Sequence, residues 1–130
     1  MTASARTTTT RTFSWRSALS WLPRIVLAFV FAGAGFTKLA GDQAMVDMFA
    51  TIGAGQGLRY VVGALELAGA VGVLVPRLSG LAAAGLALLM IGATIANVTV
   101  LGASPVFTLV LFVVAVFTVW LRRHHLNPAR

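Results

Sequence analysis

Between Leu78 and Leu101 not one side chain carries a formal charge. That run limits the fold more than any motif does. A helix needs about 20 apolar residues to cross the ~30 Å of bilayer hydrocarbon, and a spanning segment must satisfy its own backbone because no water is present. Three further apolar blocks approach this length: Trp21–Leu39, Leu58–Val75 and Val106–Leu121. The last covers about 24 Å at 1.5 Å per residue, so its flanks must snorkel or the bilayer must thin. The blocks are continuous, not alternating, and rich in Ala, Gly and Leu, which favours helices over barrel strands. The expected fold is all-α, a polytopic membrane protein built as an antiparallel four-transmembrane-helix bundle. Composition agrees: 10% of the 130 residues are charged, against roughly 25% in a soluble domain.

The net charge of +7 would suggest nucleic acid in a soluble protein; here its arrangement argues against nucleic acid. With a cytoplasmic N-terminus, Arg6, Arg11, Arg16, Arg24, Arg77, Arg122, Arg123 and Arg130 fall on the inner side, and Lys38 and Arg59 on the outer. That is the positive-inside pattern of a cytoplasmic membrane protein with both termini inside. Anionic lipid is the partner these ends predict. Trp21, Arg24 and Trp120 read as interfacial anchors on the inner side and Tyr60 on the outer. The expected organisation is a disordered basic arm over residues 1–18, a membrane domain over 19–121 with spans near 21–39, 58–75, 78–101 and 105–121, and a basic tail over 122–130. Ala32-Gly33-Ala34 resembles a signal-peptidase site, but the apolar run continues to Phe36, so the first helix is expected to be retained.

The connections are also legible. Met45, Met48, Phe49 and Ile52 recur on one helical face, predicting a short amphipathic helix over Gln43–Ile52 lying on the outer surface, with Asp42 as its cap. Pro76-Arg77 is a tight inner turn, and Ser104-Pro105 a helix start with serine as cap. Short turns make the second, third and fourth helices antiparallel neighbours. Small residues mark close contacts: Ala28, Ala32 and Gly35 on the first helix, Ala64, Ala68 and Gly72 on the second, Gly85, Gly92 and Ala96 on the third. The fourth, with Phe107, Phe112 and Phe117, is expected to face lipid or a partner subunit, including a second copy.

One acid interrupts this apolar pattern. Glu66 lies about 12 Å along the second helix, where a charged side chain costs several kcal/mol. It must stay protonated or meet a cation. Lys38, with a stem long enough to reach inward, and Arg59, two turns above, are the candidate partners. Asn97 and Thr94 on the third helix fall at matching depth, so Lys38, Glu66, Thr94 and Asn97 form a candidate polar pocket. Two readings stay open: an internal tie that fixes helix register, or a functional pocket. The chain has no cysteine, and its only histidines, His124 and His125, are adjacent in the tail. Thiolate metal sites and cysteine-held clusters are therefore excluded, and no metal site is expected.

Three segments resemble the DoxX family of small four-helix membrane proteins, in particular its DoxX-like branch. They are FAGAGFTKL (Phe31–Leu39), GALELAGAVGVLVP (Gly63–Pro76) and ALLMIGATIANVTVLG (Ala87–Gly102); Arg24 also matches the arginine usual in the first helix. Relatives often carry a histidine late in the third helix, where this chain has Asn97. The resemblance implies a bacterial cytoplasmic-membrane protein associated with a quinone-linked redox system, with quinone as cofactor and an oxidoreductase as partner subunit. It transfers no catalytic residue. A redox subunit would use Lys38, Glu66 and Asn97 to hold a quinone headgroup, with electrons from a partner. The alternatives are a small proton-coupled transporter and a scaffold or assembly factor without catalysis.

Overall fold

The computed structural model describes residues 15–123. Most of the expected N-terminal arm, and the tail from residue 124 onward, lie outside the described residues. The described secondary structure is helical throughout: α1 (Trp15–Ala40), α2 (Gln43–Ile52), α3 (Gln56–Leu74), α4 (Ser79–Ala96), a π-helical turn (Asn97–Leu101) that continues α4, and α5 (Val106–Leu121).

The expected four spans are corrected to three. Ser17–Ala40, Gln56–Leu74 and Ser79–Leu101 are long and apolar enough to cross a membrane. The fourth apolar helix, α5, has 16 residues, or about 24 Å against about 30 Å of hydrocarbon. Its ends are fixed locally. Gly102 adopts a left-handed φ of 59° at the end of the π turn, and the Ser104 hydroxyl accepts the Val106 N–H at 3.3 Å. At the other end Arg122 leaves the helix and bonds to the α3–α4 turn. Apolar composition made this segment look like a span; its length does not. The multi-pass membrane assignment stands on the three long helices, whose outer faces carry exposed Phe29, Val71 and Leu88. Apolar area spread this widely requires lipid and not water as its neighbour.

Packing is most extensive between α1 and α3, then between α4 and α5, with α3 against α4 joining the pairs. The core runs through Leu27, Phe31, Val73, Ala83, Leu86, Leu111 and Ala115. α5 therefore contributes an inner face as well as an apolar outer one. The small-residue pattern is partly relocated: on α3 the buried stripe is Gly63, Glu66, Gly69, Ala70, Gly72 and Val73, while Ala64 and Ala68 are exposed. Gly85 and Gly92 face open space. On α2 Phe49 is buried, and Met45, Met48 and Ile52 on the same face are half-buried. Asp42 precedes α2 without a side-chain cap; its carbonyl, not its carboxylate, accepts the Met45 and Val46 N–H groups.

One crossing sets the α1–α3 distance. A Cβ added at Gly35 would stand 2.7 Å from the Gly63 carbonyl oxygen and 3.1 Å from the Leu67 nitrogen. Because those atoms are backbone, the helices themselves would have to separate. Gly33, two residues earlier, has nothing within 4 Å of the equivalent position. Gly35→Ala is expected to lower stability in detergent by about 1–3 kcal/mol, with Gly33→Ala close to wild type. Thermal or denaturant unfolding of the two variants checks this, and equal behaviour would remove the crossing as a determinant of packing.

Candidate functional site

Glycine at the crossing brings two charged side chains together. Lys38 follows Gly35 by one turn of α1, and Glu66 follows Gly63 by one turn of the antiparallel α3. Helical side chains lean toward their own N-terminus. Lys38 therefore leans back into the bundle and Glu66 toward the α2 end, so the two converge. Lys38 Nζ lies 2.9 Å from Glu66 Oε1. The Lys38 side chain keeps 13% of its exposure and that of Glu66 only 3%. The acid is sealed, and the ammonium is the accessible member.

Arg59, the other candidate partner, is buried but directed elsewhere. Its Nε donates to Gln56 Oε1 at 2.8 Å, and its Nη1 donates to the Lys38 carbonyl. It thus ties the start of α3 to the end of α1 from above the ion pair. Gln56 in turn donates to the Val46 carbonyl at 3.0 Å, which holds α2 over this end.

Thr94 and Asn97 hydrogen-bond within α4, to α5 and to the turn before it. The hydroxyls of Thr94 and Thr108 lie 2.9 Å apart, each also within reach of a carbonyl of its own chain, Met90 and Pro105 respectively. Asn97 opens the π turn and its amide nitrogen reaches the Ser104 carbonyl at 3.5 Å. Among the described residues, no hydrogen bond connects either of them to Lys38 or Glu66. The geometry joins the first two of the four expected pocket residues and anchors the other two to α5 and its leading turn.

The expected interfacial anchors share one arrangement. Arg24 stacks on Trp21 with its guanidinium carbon 3.7 Å from the ring centre, Arg59 on Tyr60 at 4.3 Å and Arg123 on Trp120 at 4.7 Å. Each aromatic thus carries a cation on its face. Arg24 is only 1% exposed: its Nε donates to the Val73 carbonyl at 2.7 Å and its Nη2 to the Leu74 carbonyl at 3.4 Å. These are among the last acceptors of α3, left without helical partners and at the negative end of its dipole. Arg122 closes the neighbouring turn, donating to Ser79 Oγ at 2.8 Å and to the Pro76 carbonyl at 2.7 Å. None of these four bonds was foreseen from the sequence. The available signal was an arginine just inside an apolar run with every acid far from it, which leaves helix-end carbonyls as the partners.

The model of the DoxX-like family matches residues 23–124. The chain belongs to the DoxX-like family. The match covers α1 from Pro23 onward and every later helix, including both members of the ion pair, and this family is loosely linked to membrane redox systems. No curated protein and no solved structure matches the chain significantly.

Breaking a buried pair from one side leaves an uncompensated charge, which costs about 3–5 kcal/mol. Lys38→Met and Glu66→Gln should each destabilise this DoxX-like protein. The double variant should lose less than the sum, with a coupling of about 1–3 kcal/mol. A double-mutant cycle of unfolding in detergent measures this; strict additivity would mean that the 2.9 Å contact contributes nothing.

Proposed function

We propose that this protein is a membrane subunit or accessory of a quinone-linked redox system, with Lys38 and Glu66 at the quinone headgroup. The observation that carries the reading is the buried ion pair placed among apolar helices. Two titratable groups lie in contact where a charge is otherwise disfavoured, and intramembrane ionisable residues commonly serve proton or substrate chemistry. The residues also suit the ligand. A quinone offers carbonyl oxygens that accept hydrogen bonds and a ring that favours apolar surroundings. The Lys38 ammonium has three donors, one of them directed at Glu66, and it is the more accessible partner.

In this reading Lys38 orients the headgroup by donating to a carbonyl oxygen. Glu66 holds or releases the proton that must accompany electron transfer. A bound quinone supplies the two-electron chemistry, and a partner oxidoreductase supplies the electrons. The basic end of the bundle, with Arg24, Arg77, Arg122 and Arg123, faces the cytoplasm of a bacterial cell by the positive-inside rule. The ion-pair end faces outward.

The test is extraction of quinone from protein purified out of native membranes, together with quinone reduction by those membranes. Wild type should retain quinone, and Glu66→Gln should lower the reduction rate by about 10²-fold or more. Unchanged quinone content and rate in Glu66→Gln would refute the role. A Glu66-dependent collapse of a proton gradient in liposomes, without bound quinone, would favour transport instead.

A further inference from the structure

Among the described residues, the end of the bundle opposite the ion pair has cations and no acidic side chain. The chain holds three acids in all: Asp42 beside α2, Asp47 within it, and Glu66, already paired with Lys38. Arg24 and Arg122 are met by neutral carbonyl and hydroxyl oxygens, which satisfy their hydrogen bonds and leave their charge. Arg123 is exposed at the end of α5, held by Nη1 on the Trp120 carbonyl at 3.0 Å and by its stack on the Trp120 ring. Its remaining donors are directed at no carboxylate among the described residues.

Beside this cationic end, α1 and α5 leave an open groove of about 320 Å³. Its walls are Leu22, Pro23 and Val26 on α1 and Val113, Val114 and Phe117 on α5, with no polar surface. The groove and the cations are continuous. Phe117 stacks on Trp120, ring centres 6.1 Å apart, and Trp120 carries Arg123. Along α5 the rise from Phe117 to Leu121 is about 6 Å, and Arg123 follows two residues beyond the helix end. On the α1 side the groove residues Leu22 and Pro23 sit beside Trp21 and Arg24, which stack on each other.

An apolar groove linked through the Phe117–Trp120 stack to a guanidinium matches one class of molecule in shape and charge. We propose that the α1–α5 groove binds an anionic phospholipid, with an acyl chain along Val26, Val113 and Phe117 and the phosphate on Arg123. Charge complementarity selects this occupant: a zwitterionic lipid would fill the groove equally well but gain less from an end whose described side chains include cations and no acid. The position is also where such a lipid has a structural use. α5 is the shortest of the four apolar helices, and a lipid seated against it fills the groove between α5 and α1.

The test is native mass spectrometry of the detergent-purified full chain titrated with phosphatidylglycerol or phosphatidylcholine of matched acyl chains. One phosphatidylglycerol per chain should persist at collision energies that strip phosphatidylcholine. Arg123→Gln should reduce phosphatidylglycerol retention about fivefold, the loss of one basic contact at a membrane surface. Val113→Trp, which adds bulk on the α5 wall and leaves Arg123 in place, should reduce retention of both lipids. Should that variant fail to fold, Arg123→Gln and the headgroup comparison decide by themselves. Equal retention of the two lipids, or of a plain fatty acid, would overturn the proposal, as would phosphatidylglycerol binding that Arg123→Gln leaves unchanged. A lipid-free species of twice the mass would overturn it too, since a second copy would then cover the groove.

Discussion

The contact on which the rest of the bundle depends is the backbone approach of α1 and α3 at Gly35 and Gly63. Without a Cβ on either side, the Gly63 carbonyl and the α1 backbone come within a distance no side chain would permit. In lipid such closeness is the main source of helix association, because acyl chains compete equally well for any looser apolar contact. The same approach decides the electrostatics. Lys38 and Glu66 are each one turn beyond a crossing glycine, so bringing the glycines together brings the charges together. If the helices stood a side chain further apart, the 2.9 Å contact would be lost and Glu66 would face hydrocarbon alone. Packing and charge neutralisation are therefore one constraint seen from two sides.

At the other end of the bundle the same problem has a different solution. Arg24 and Arg122 enter the apolar region without any acid to meet them. They use the carbonyls of Val73, Leu74 and Pro76, acceptors exposed because α3 stops there. These bonds fasten α1 and α5 to the α3–α4 turn, so both terminal helices are tied to the middle of the chain. Pro76 ends a helix and thereby creates the acceptors that two distant arginines need. The turn is as important to the tertiary structure as to the local one.

Much of this was legible from the order of residues. An acid in an apolar run must find a cation, and depth narrows the partner to Lys38 or Arg59; the structure selects Lys38. The amphipathic period over Met45, Met48, Phe49 and Ile52 marks α2. Other features were not legible, for identifiable reasons. Small residues spaced by fours on α3 suggested Ala64 and Ala68 at the interface, whereas the buried face follows Gly63, Glu66 and Ala70; spacing gives a stripe but not which stripe. Matched depth suggested Asn97 beside Glu66. Depth does not give hydrogen-bond partners, and those of Asn97 and Thr94 include Ser104 and Thr108. The π turn at Asn97–Leu101 changes the residues per turn and has no periodic signature in so short a run. The number of spans failed on length, since α5 is as apolar as the others and merely shorter.

The two ends also differ in the chemistry they can perform. A guanidinium keeps its proton throughout the range in which cells operate, so Arg24 and Arg122 can position and attract but not exchange protons. An ammonium against a carboxylate is different: moving one proton from Lys38 to Glu66 turns an ion pair into a neutral pair without changing the total charge in the bundle. In a medium where isolated charge costs several kcal/mol, that exchange is among the few rearrangements an apolar interior tolerates. Among the described residues it is confined to the α1–α3 crossing, since Asp42 and Asp47 lie at α2 and no other acid exists in the sequence. Among the described residues a cation meets a carboxylate only at this crossing, and the arginines of the opposite end are met by neutral oxygens.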